Sequence, residues 1–349
     1  MRPVLRLCLS ATALATIVCG VLVAGQEPLA TASGLEAEAK TAEQSGRLQE
    51  AFDLYLRAVQ ALPARGDAPM SMWPQFTSLF ETDIRLRERI IALAARVQPL
   101  PVAPEAAERF AVRGQVLFKD ATDKYGFMMA MSELARAVKA APWVPIHAFN
   151  LALVQEKLGY YKAAAANLKL YVASGAADAA DARAKTFELE LRREEPEAAL
   201  REDCTLFYVA TACLKLGREL LAEEETSSEG IFALQQACRS GSGEGCLEGG
   251  KTRLNNLLDT MRLLGKQYAK GGKGLENAEV LALGYFEQGC TKEFAPACRE
   301  LGNFYAKDWP ELDLKKNKKV AATWYQKSCD LDPVGNKADC ERAARLRGR

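Results

Sequence analysis

The N-terminal half of the chain repeats a pattern of small and apolar residues that fits one face of an α-helix. Spacings of four and then three residues put the members of each set on the same face, where a small residue lets a neighbouring helix approach closely. The sets are Ala51, Tyr55 and Ala58, then Ala130, Leu134 and Ala137, and finally Ala164, Leu168 and Tyr171. Gly46 and Gly159 precede the first and third sets by five residues. The pattern predicts stacked helical hairpins.

The positions and period of these sets resemble the tetratricopeptide repeat. The second and third units begin 34 residues apart, at Ala111 and Pro145, and 34 residues is the length of that repeat. The likeness covers roughly residues 33–66 and 111–177. It implies antiparallel helix pairs with an extended concave face. Its register places eight residues on that face: Val112, Gln115, Lys119, Thr122, Ile146, Phe149, Leu153 and Glu156.

Phe149 and Leu153 are the predicted anchors of this concave face, because buried aromatic and aliphatic residues dominate binding at interfaces. The alternative interpretation of both residues is packing between helices. Four more of the eight residues are predicted to contact the partner beside these anchors: Gln115, Lys119, Ile146 and Glu156. The partner that such a face implies is another protein or an extended peptide.

Residues 68–102 interrupt the repeat because they lack its small-residue face. They indicate one longer helix with an apolar surface, which the prolines at positions 99, 101 and 104 would end. A second helix from about Glu105 to Ala121 would open the next repeat. We therefore interpret residues 68–110 as an inserted helical hairpin.

The C-terminal half carries eight cysteines in four short pairs. The first cysteines of successive pairs are 34, 52 and 39 residues apart, and Leu-Gly follows the second cysteine at Gly217 and Gly302. The interval of 52 predicts an insertion, an extra helix around Lys251 to Met261. The pairs are Cys204 and Cys213, Cys238 and Cys246, Cys290 and Cys298, and Cys329 and Cys340.

These residues resemble the Sel-one-like repeat in its cysteine-rich form, which is known from secreted bacterial proteins. One copy of the motif includes Leu264, Gly265, Tyr268, Gly271, Gly274, Ala278 and Cys290, and a second runs from Leu301 to Cys329. In that family each unit is two antiparallel helices, and a cysteine pair joins the end of one helix to the start of the next. The resemblance implies disulfides between neighbours: Cys204–Cys213, Cys238–Cys246, Cys290–Cys298 and Cys329–Cys340.

Metal binding is the competing interpretation of the cysteine pairs. Zinc ligands in a pair are usually two to four residues apart and often include histidines, whereas this chain has one histidine, His147. We therefore expect no metal and no cofactor. With the cysteines oxidised, no thiolate remains to act as a nucleophile beside His147.

No catalytic residue is predicted, and we expect a non-catalytic scaffold that mediates protein or peptide binding. The alternative function follows from the resemblance, because some cysteine-rich relatives are described as penicillin-binding or weakly β-lactamase-like. Serine β-lactamases carry Ser-x-x-Lys, Ser-Asp-Asn and Lys-Thr-Gly elements. The chain contains none of the three, since Lys251-Thr252 is followed by Arg253.

The first 25 residues have the basic, apolar and small-residue regions of a secretory signal, in the usual order. Arg2 and Arg6 precede an apolar stretch from about Leu7 to Val23, and small residues follow it. Cleavage after Gly25 or after Ala32 would leave an exported protein in the periplasm or outside the cell. The alternative is a retained membrane anchor, because the stretch is about as long as a minimal spanning helix.

Charge gives no reason to expect nucleic-acid binding. The whole chain is formally +1, and without Arg2 and Arg6 it has 44 basic against 45 acidic residues. Such a balance offers no field that attracts a polyanion. After signal cleavage we expect no integral membrane association. We predict an all-α, α/α superhelical solenoid of antiparallel helix pairs, with tetratricopeptide-like repeats in residues 26–198 and disulfide-braced repeats in residues 199–349.

Overall fold

The computed structural model describes residues 27–63, 75–176, 178–223, 227–264, 276–312 and 314–348. The predicted signal, the cleavage site after Gly25 and the predicted motif residues Gly265, Tyr268, Gly271 and Gly274 lie outside these described ranges. Regular structure within them is helical, apart from one isolated β-bridge between Trp309 and Leu314. The predicted all-α solenoid of successively packed helix pairs is confirmed.

The described residues form two compact units, unit 1 and unit 2, which divide between Ala198 and Ala199. The helices of unit 1 are α1 (Glu27–Gln44), α2 (Leu48–Ala61), α3 (Phe76–Ala94), α4 (Glu105–Asp120), α5 (Lys124–Ala140), α6 (Pro145–Lys157), α7 (Tyr161–Ala173) and α8 (Ala179–Arg193). Helix α9 (Pro196–Thr205) contains the division. The helices that follow it in unit 2 are α10 (Ala210–Leu221), α11 (Ser227–Arg239), α12 (Gly243–Leu264), α13 (Glu276–Thr291), α14 (Ala295–Ala306), α15 (Lys318–Leu331) and α16 (Lys337–Leu346).

In unit 1 the repeated small residues form the contact faces of neighbouring helices. Helix α1 packs on α2, α4 on α5, α6 on α7, and α7 on α8. Ala51, Tyr55 and Ala58 of α2 are fully buried. Gly114 of α4 lies so close to α5 that an added Cβ would stand 2.5 Å from Leu134 Cγ. Removing this surface from water, at about 25 cal/mol per Å² of apolar area, is the main force that holds the pairs together.

Two of the turns between paired helices need glycine. Gly46, between α1 and α2, has φ of 73°, and Gly159, between α6 and α7, has φ of 75°. Residues with a Cβ rarely adopt this left-handed region, whereas glycine does so at little cost. The glycines therefore reverse the chain within a few residues and bring the second helix of each pair back along the first.

Helix α3 stands between two repeat pairs and packs on both α2 and α7. It spans Phe76–Ala94, so it ends before the prolines at positions 99, 101 and 104. The first residues of the predicted insertion, 68–74, lie outside the description. Because α3 contacts α7, an element far along the chain, it builds a surface that the repeats alone would lack.

Four disulfides brace unit 2, as predicted for the C-terminal half. They join Cys204 to Cys213, Cys238 to Cys246, Cys290 to Cys298 and Cys329 to Cys340. Each bond links the end of one helix to the start of the next, with Cα atoms 4.4 to 5.0 Å apart.

Between the disulfides, a glycine repeatedly accepts a large side chain from the next helix. The glycine stands four residues after the second cysteine of a pair, and its neighbour stands four residues before the next first cysteine. The three contacts are Gly217 with Leu234, Gly250 with Phe286 and Gly302 with Tyr325, where an added Cβ would lie within 2.5 to 2.8 Å of the neighbouring side chain. This contact gives a physical reason for the Leu-Gly motif.

The predicted extra helix around Lys251 to Met261 is wrong. These residues continue α12, a single 22-residue helix that begins at Gly243. Leu254 and Leu257 extend the apolar face that starts at Cys246 and Gly250; Leu257 is buried and Leu254 packs against the Phe286 cluster. The insertion therefore lengthens an existing helix.

A buried carboxylate ties the last helices of unit 2 together. Asp339 of α16 is fully buried, and its Oδ2 accepts hydrogen bonds from Arg299 Nε and Ser328 Oγ, each over 2.7 Å. Arg299 also donates to Asn336 Oδ1 over 2.6 Å. A buried charge is tolerated only when it is paired in this way. The network fixes α16 against α14 and α15 beside the Cys329–Cys340 bond.

Candidate functional site

Unit 1 contains an apolar groove between α3, α7 and α8, with a volume of about 470 Å³. We call it the α3–α7 groove. Its apolar lining comes from two residues of α3 and four residues of α7. They are Phe80, Ile84, Ala165, Ala166, Leu170 and Ala173. The volume falls in the range of roughly 300–1,000 Å³ that is typical of ligand-binding clefts.

The groove exists because α7 presents alanines where larger side chains would fill the space. Ala165 belongs to the buried cluster that also contains Leu168 and Leu189. Ala166 and Ala173 stand further out, and both line the groove. Helix α3 supplies bulk on the opposite wall with Phe80 and Ile84. The site is therefore a gap between a wall of small residues and a wall of large ones.

Charged residues of both signs surround this apolar floor. On one side Lys162 Nζ lies 3.8 Å from Glu81 Oε1, and on another Lys169 Nζ lies 2.5 Å from Glu190 Oε1. The other charged lining residues are Arg85, Glu88 and Arg193. These rim pairs are exposed and contribute little stability, at most about 1 kcal/mol each. They restrict the apolar surface to a bounded strip.

Arg85 forms an ion pair with Glu36 of α1, and the Glu36 side chain is mostly buried. Arg85 Nη2 lies 2.7 Å from Glu36 Oε2, and Lys40 Nζ lies 2.8 Å from Glu36 Oε1. Burial alone would raise the pKa of the Glu36 carboxyl, but the hydrogen bonds from Arg85 and Lys40 outweigh it and hold the pKa below its usual value. Glu36 thus remains charged at neutral pH and positions the arginine at the groove.

A buried polar network holds the two walls of the groove together. Arg87 of α3 is 3% exposed, and its Nη1 donates to Asn167 Oδ1 of α7 over 2.8 Å. Asn167 Nδ2 donates in turn to Gln155 Oε1 of α6 over 2.8 Å. Arg87 Nε lies 2.9 Å from Asp83 Oδ2. The network fixes the spacing of α3 and α7 more specifically than apolar packing alone.

Thr122 of the predicted concave face follows the end of α4, and the other predicted residues lie on α4 and α6. Gln115 and Lys119 of α4 are exposed, as are Val112 and Thr122, and Ile146 of α6 is 47% exposed. Leu153 is half-buried. Within the described part of the chain, the lining of the α3–α7 groove includes none of the six predicted binding residues.

Two of these predicted residues make contacts inside unit 1. The Phe149 ring packs 5.0 Å from the Tyr171 ring and against the buried cluster of α6, α7 and α8. Glu156 Oε1 lies 2.6 Å from Lys185 Nζ and 3.3 Å from Arg192 Nη1, both on α8. These contacts correspond to the packing interpretation of Phe149, and they join α6 to the following helices.

His147 is buried at the start of α6 and is 1% exposed. Its Nε2 lies 4.0 Å from Glu108 Oε1 of α4. Burial lowers the pKa of His147, although the Glu108 carboxylate acts in the opposite direction. The imidazole is therefore neutral in the folded protein at neutral pH, and it belongs to the packing of α4, α5 and α6.

We expect the stability of the protein to decrease as the pH falls through about 6.5, the ordinary histidine pKa. Below that pH His147 binds a proton in the unfolded chain but not in the folded protein. The free energy of unfolding therefore decreases until the pH reaches the lowered pKa of His147 in the folded protein. His147→Gln should flatten this slope. Denaturant unfolding of both proteins at pH 7.5, 6.5 and 5.5 measures the difference. Parallel pH profiles would contradict the buried neutral state.

Two classes of site are not found in the residues that the structure describes. No group of three or more His, Cys, Asp or Glu side chains is arranged to hold a metal ion there. Among the described helices, none has both the length and the apolar character needed to cross a membrane. The four disulfides are typical of proteins from oxidising, extracytoplasmic environments.

No protein-family model matches this chain, and no curated protein matches it. Among solved structures, it is similar to the crystal structure of immunity protein Pa5087 from Pseudomonas aeruginosa. The identity is 15%, the match covers 68% of this chain and 86% of that chain, and the TM-score is 0.28. A similarity of this degree defines neither a family nor a function.

Proposed function

We propose that this chain is an exported, non-catalytic repeat scaffold that binds an amphipathic helical segment of another protein in the α3–α7 groove. Unit 1 would be a tetratricopeptide-like array and unit 2 a Sel-one-like array. The single observation that carries the proposal is an apolar strip of definite size, bounded by charged side chains and backed by a buried network. The disulfides and the N-terminal signal pattern support a location in the periplasm or outside the cell.

The dimensions of the groove favour a helical segment as the occupant. The α7 wall runs from Lys162 to Ala173, about 16 Å at 1.5 Å per residue, which matches roughly three turns of a helix. In the helix-in-groove mode, apolar residues at spacings of three, four and seven insert into such a strip. The rim has acidic Glu81, Glu88 and Glu190 as well as basic residues, so a segment with polar flanks of both signs fits best.

Filling the groove should abolish binding of such a segment. Ala166→Trp places a large side chain on the α7 wall, and we expect it to weaken binding at least about tenfold, a loss of roughly 1.4 kcal/mol. The ligand is a peptide selected on the wild-type protein from a displayed library of random 16-residue sequences. Fluorescence anisotropy with the labelled peptide measures its dissociation constant for each variant.

Ala92→Trp is the matched control, because Ala92 is an exposed alanine of α3 and does not belong to the apolar lining described above. It should bind the peptide as tightly as the wild type does. Equal affinity of the Ala166→Trp variant, or a failure to select any peptide with periodic apolar residues, would refute the groove as the site. Turnover of a chromogenic cephalosporin by the purified protein would refute the non-catalytic assignment.

The proposed location has a direct test in the intact mass of the protein from its native host. Removal of the signal predicts a chain that begins at Gln26 or Ser33. A mass that retains Met1 would contradict export with cleavage.

A further inference from the structure

Helix α8 is apolar on two opposite sides. Its inner side packs on α7 through the buried residues Ala182, Thr186 and Leu189. Its outer side exposes Phe187 by 64% and Leu191 by 50%. Two exposed alanines continue the same line, and we call the set the outer stripe of α8: Ala180, Ala184, Phe187 and Leu191. Scattered exposed apolar residues are ordinary, but a continuous stripe on one helix indicates an interaction surface.

The spacing within the outer stripe is four, three and four residues. This is the heptad spacing of a and d positions, which places every member on the seam between two paired helices. Large and small residues occupy opposite ends of the stripe, with the alanines toward the N-terminus and Phe187 and Leu191 toward the C-terminus. Such an arrangement is self-complementary when two copies run antiparallel.

We propose that the outer stripe of α8 pairs with the same stripe of a second copy of this chain. In one antiparallel register, Ala184 lies opposite Phe187 of the other copy, and Ala180 lies opposite Leu191 of the other copy. Each large side chain then meets a methyl group, so the two helices can approach closely without overpacking. The pairing is isologous, and a two-fold axis generates both contacts twice.

The charges along one edge of the stripe favour this orientation. Arg183 and Glu190 stand seven residues apart on that edge, and both are exposed. In the antiparallel register Arg183 of one copy lies near Glu190 of the other, so two opposite-charge pairs form across the seam. Glu190 also pairs with Lys169 of its own copy over 2.5 Å, and this lysine is part of the groove rim.

The other edge of the stripe carries Asp181 and Glu188. In the same antiparallel register, Asp181 of one copy approaches Glu188 of the other, and these two charges repel each other. Glu188 is already neutralised within its own helix, because Glu188 Oε2 lies 3.2 Å from Lys185 Nζ and Glu188 Oε1 lies 4.0 Å from Arg192 Nη1. Repulsion along this edge is therefore reduced. Four seam positions per copy bury less area than a standard interface, so the expected dissociation constant is weak, on the order of 100 µM.

Sedimentation equilibrium of the full chain between about 5 and 500 µM tests the pairing and its register. The wild type should change from monomer to dimer across this range. Ala184→Phe should weaken the dimer at least about tenfold, because the new phenylalanine of one copy would then face Phe187 of the other and overpack the seam. The double variant Ala184→Phe/Phe187→Ala restores a large residue opposite a small one and should return to within about threefold of the wild type.

Two further variants separate this surface from general association. Phe187→Ser/Leu191→Ser should remain monomeric throughout, and its circular dichroism should be unchanged because both positions are exposed. Phe232→Ser is the matched control, since Phe232 of α11 is 48% exposed, and it should dimerise like the wild type. A monomeric wild type, a dimer that survives the double serine substitution, or a double Ala184→Phe/Phe187→Ala variant that is not rescued would each overturn the proposal.

Discussion

Reduction of the four disulfides is expected to unfold unit 2 while unit 1 stays folded. Each bond closes a loop of about nine residues, which removes roughly 2–3 kcal/mol of unfolded-chain entropy. Four such contributions are comparable to the net stability of a whole domain, about 5–15 kcal/mol. Residues 27–198 contain no cysteine, so a reductant has no bond to break there.

Limited proteolysis with and without a thiol-free reductant measures this difference. After reduction, mass spectrometry should find a resistant fragment that ends near Ala198, and the residues beyond it should be degraded. The oxidised protein should resist cleavage in both units. Equal resistance of unit 2 in both states would show that apolar packing, and not the disulfides, holds the second array together.

Replacing Arg87 by alanine is expected to lower the free energy of unfolding by about 3 kcal/mol. The substitution leaves Asn167 Oδ1 without its donor in a buried position, which costs roughly 1–3 kcal/mol. It also leaves a cavity between α3 and α7, and cavities add to the loss. Denaturant unfolding followed by circular dichroism measures the change.

Arg89→Ala provides the control for Arg87, because Arg89 is an exposed arginine on the same helix and should change stability by less than about 0.5 kcal/mol. The selected peptide should also bind more weakly to Arg87→Ala than to Arg89→Ala, since the groove walls lose their fixed spacing. Equal stability of the two variants would mean that the Arg87–Asn167 network does not hold α3 in place.

The helix pairs and the disulfides could be predicted because both depend on local signals. Ala51, Tyr55 and Ala58 share one helical face, and their spacing reports which side of α2 is buried. The cysteines of each pair stand eight to eleven residues apart, a separation that a helix end, a short turn and a helix start can close.

The groove could not be predicted, because it depends on contacts between distant parts of the chain. Arg87 and Asn167 are 80 residues apart in sequence, and no periodic pattern in the sequence predicts that α3 packs on α7. One signal was present in the sequence. Residues 163–166 are four consecutive alanines. Four consecutive residues point to every side of a helix, so at least one of these alanines must face a surface outside the core.

The extra helix was mispredicted because an unusually long interval between cysteines suggested an inserted element. Gly249 and Gly250 stand just before residue 251, and glycine on its own weakens helices. In the structure these glycines instead face Tyr285 and Phe286. Close packing of the neighbouring helix therefore accounts for them, and the leucines that follow lengthen α12.

Hydrogen exchange of the complex between the full protein and the selected peptide tests the central claim most directly. Binding in the α3–α7 groove predicts increased protection of amides in residues 76–94, 161–173 and 179–193. Amides of α4 and α6, which carry Gln115, Lys119, Ile146 and Leu153, should exchange at unchanged rates. Protection confined to residues 105–120 and 145–157 would place the peptide on the concave face indicated by the repeat register and contradict the groove.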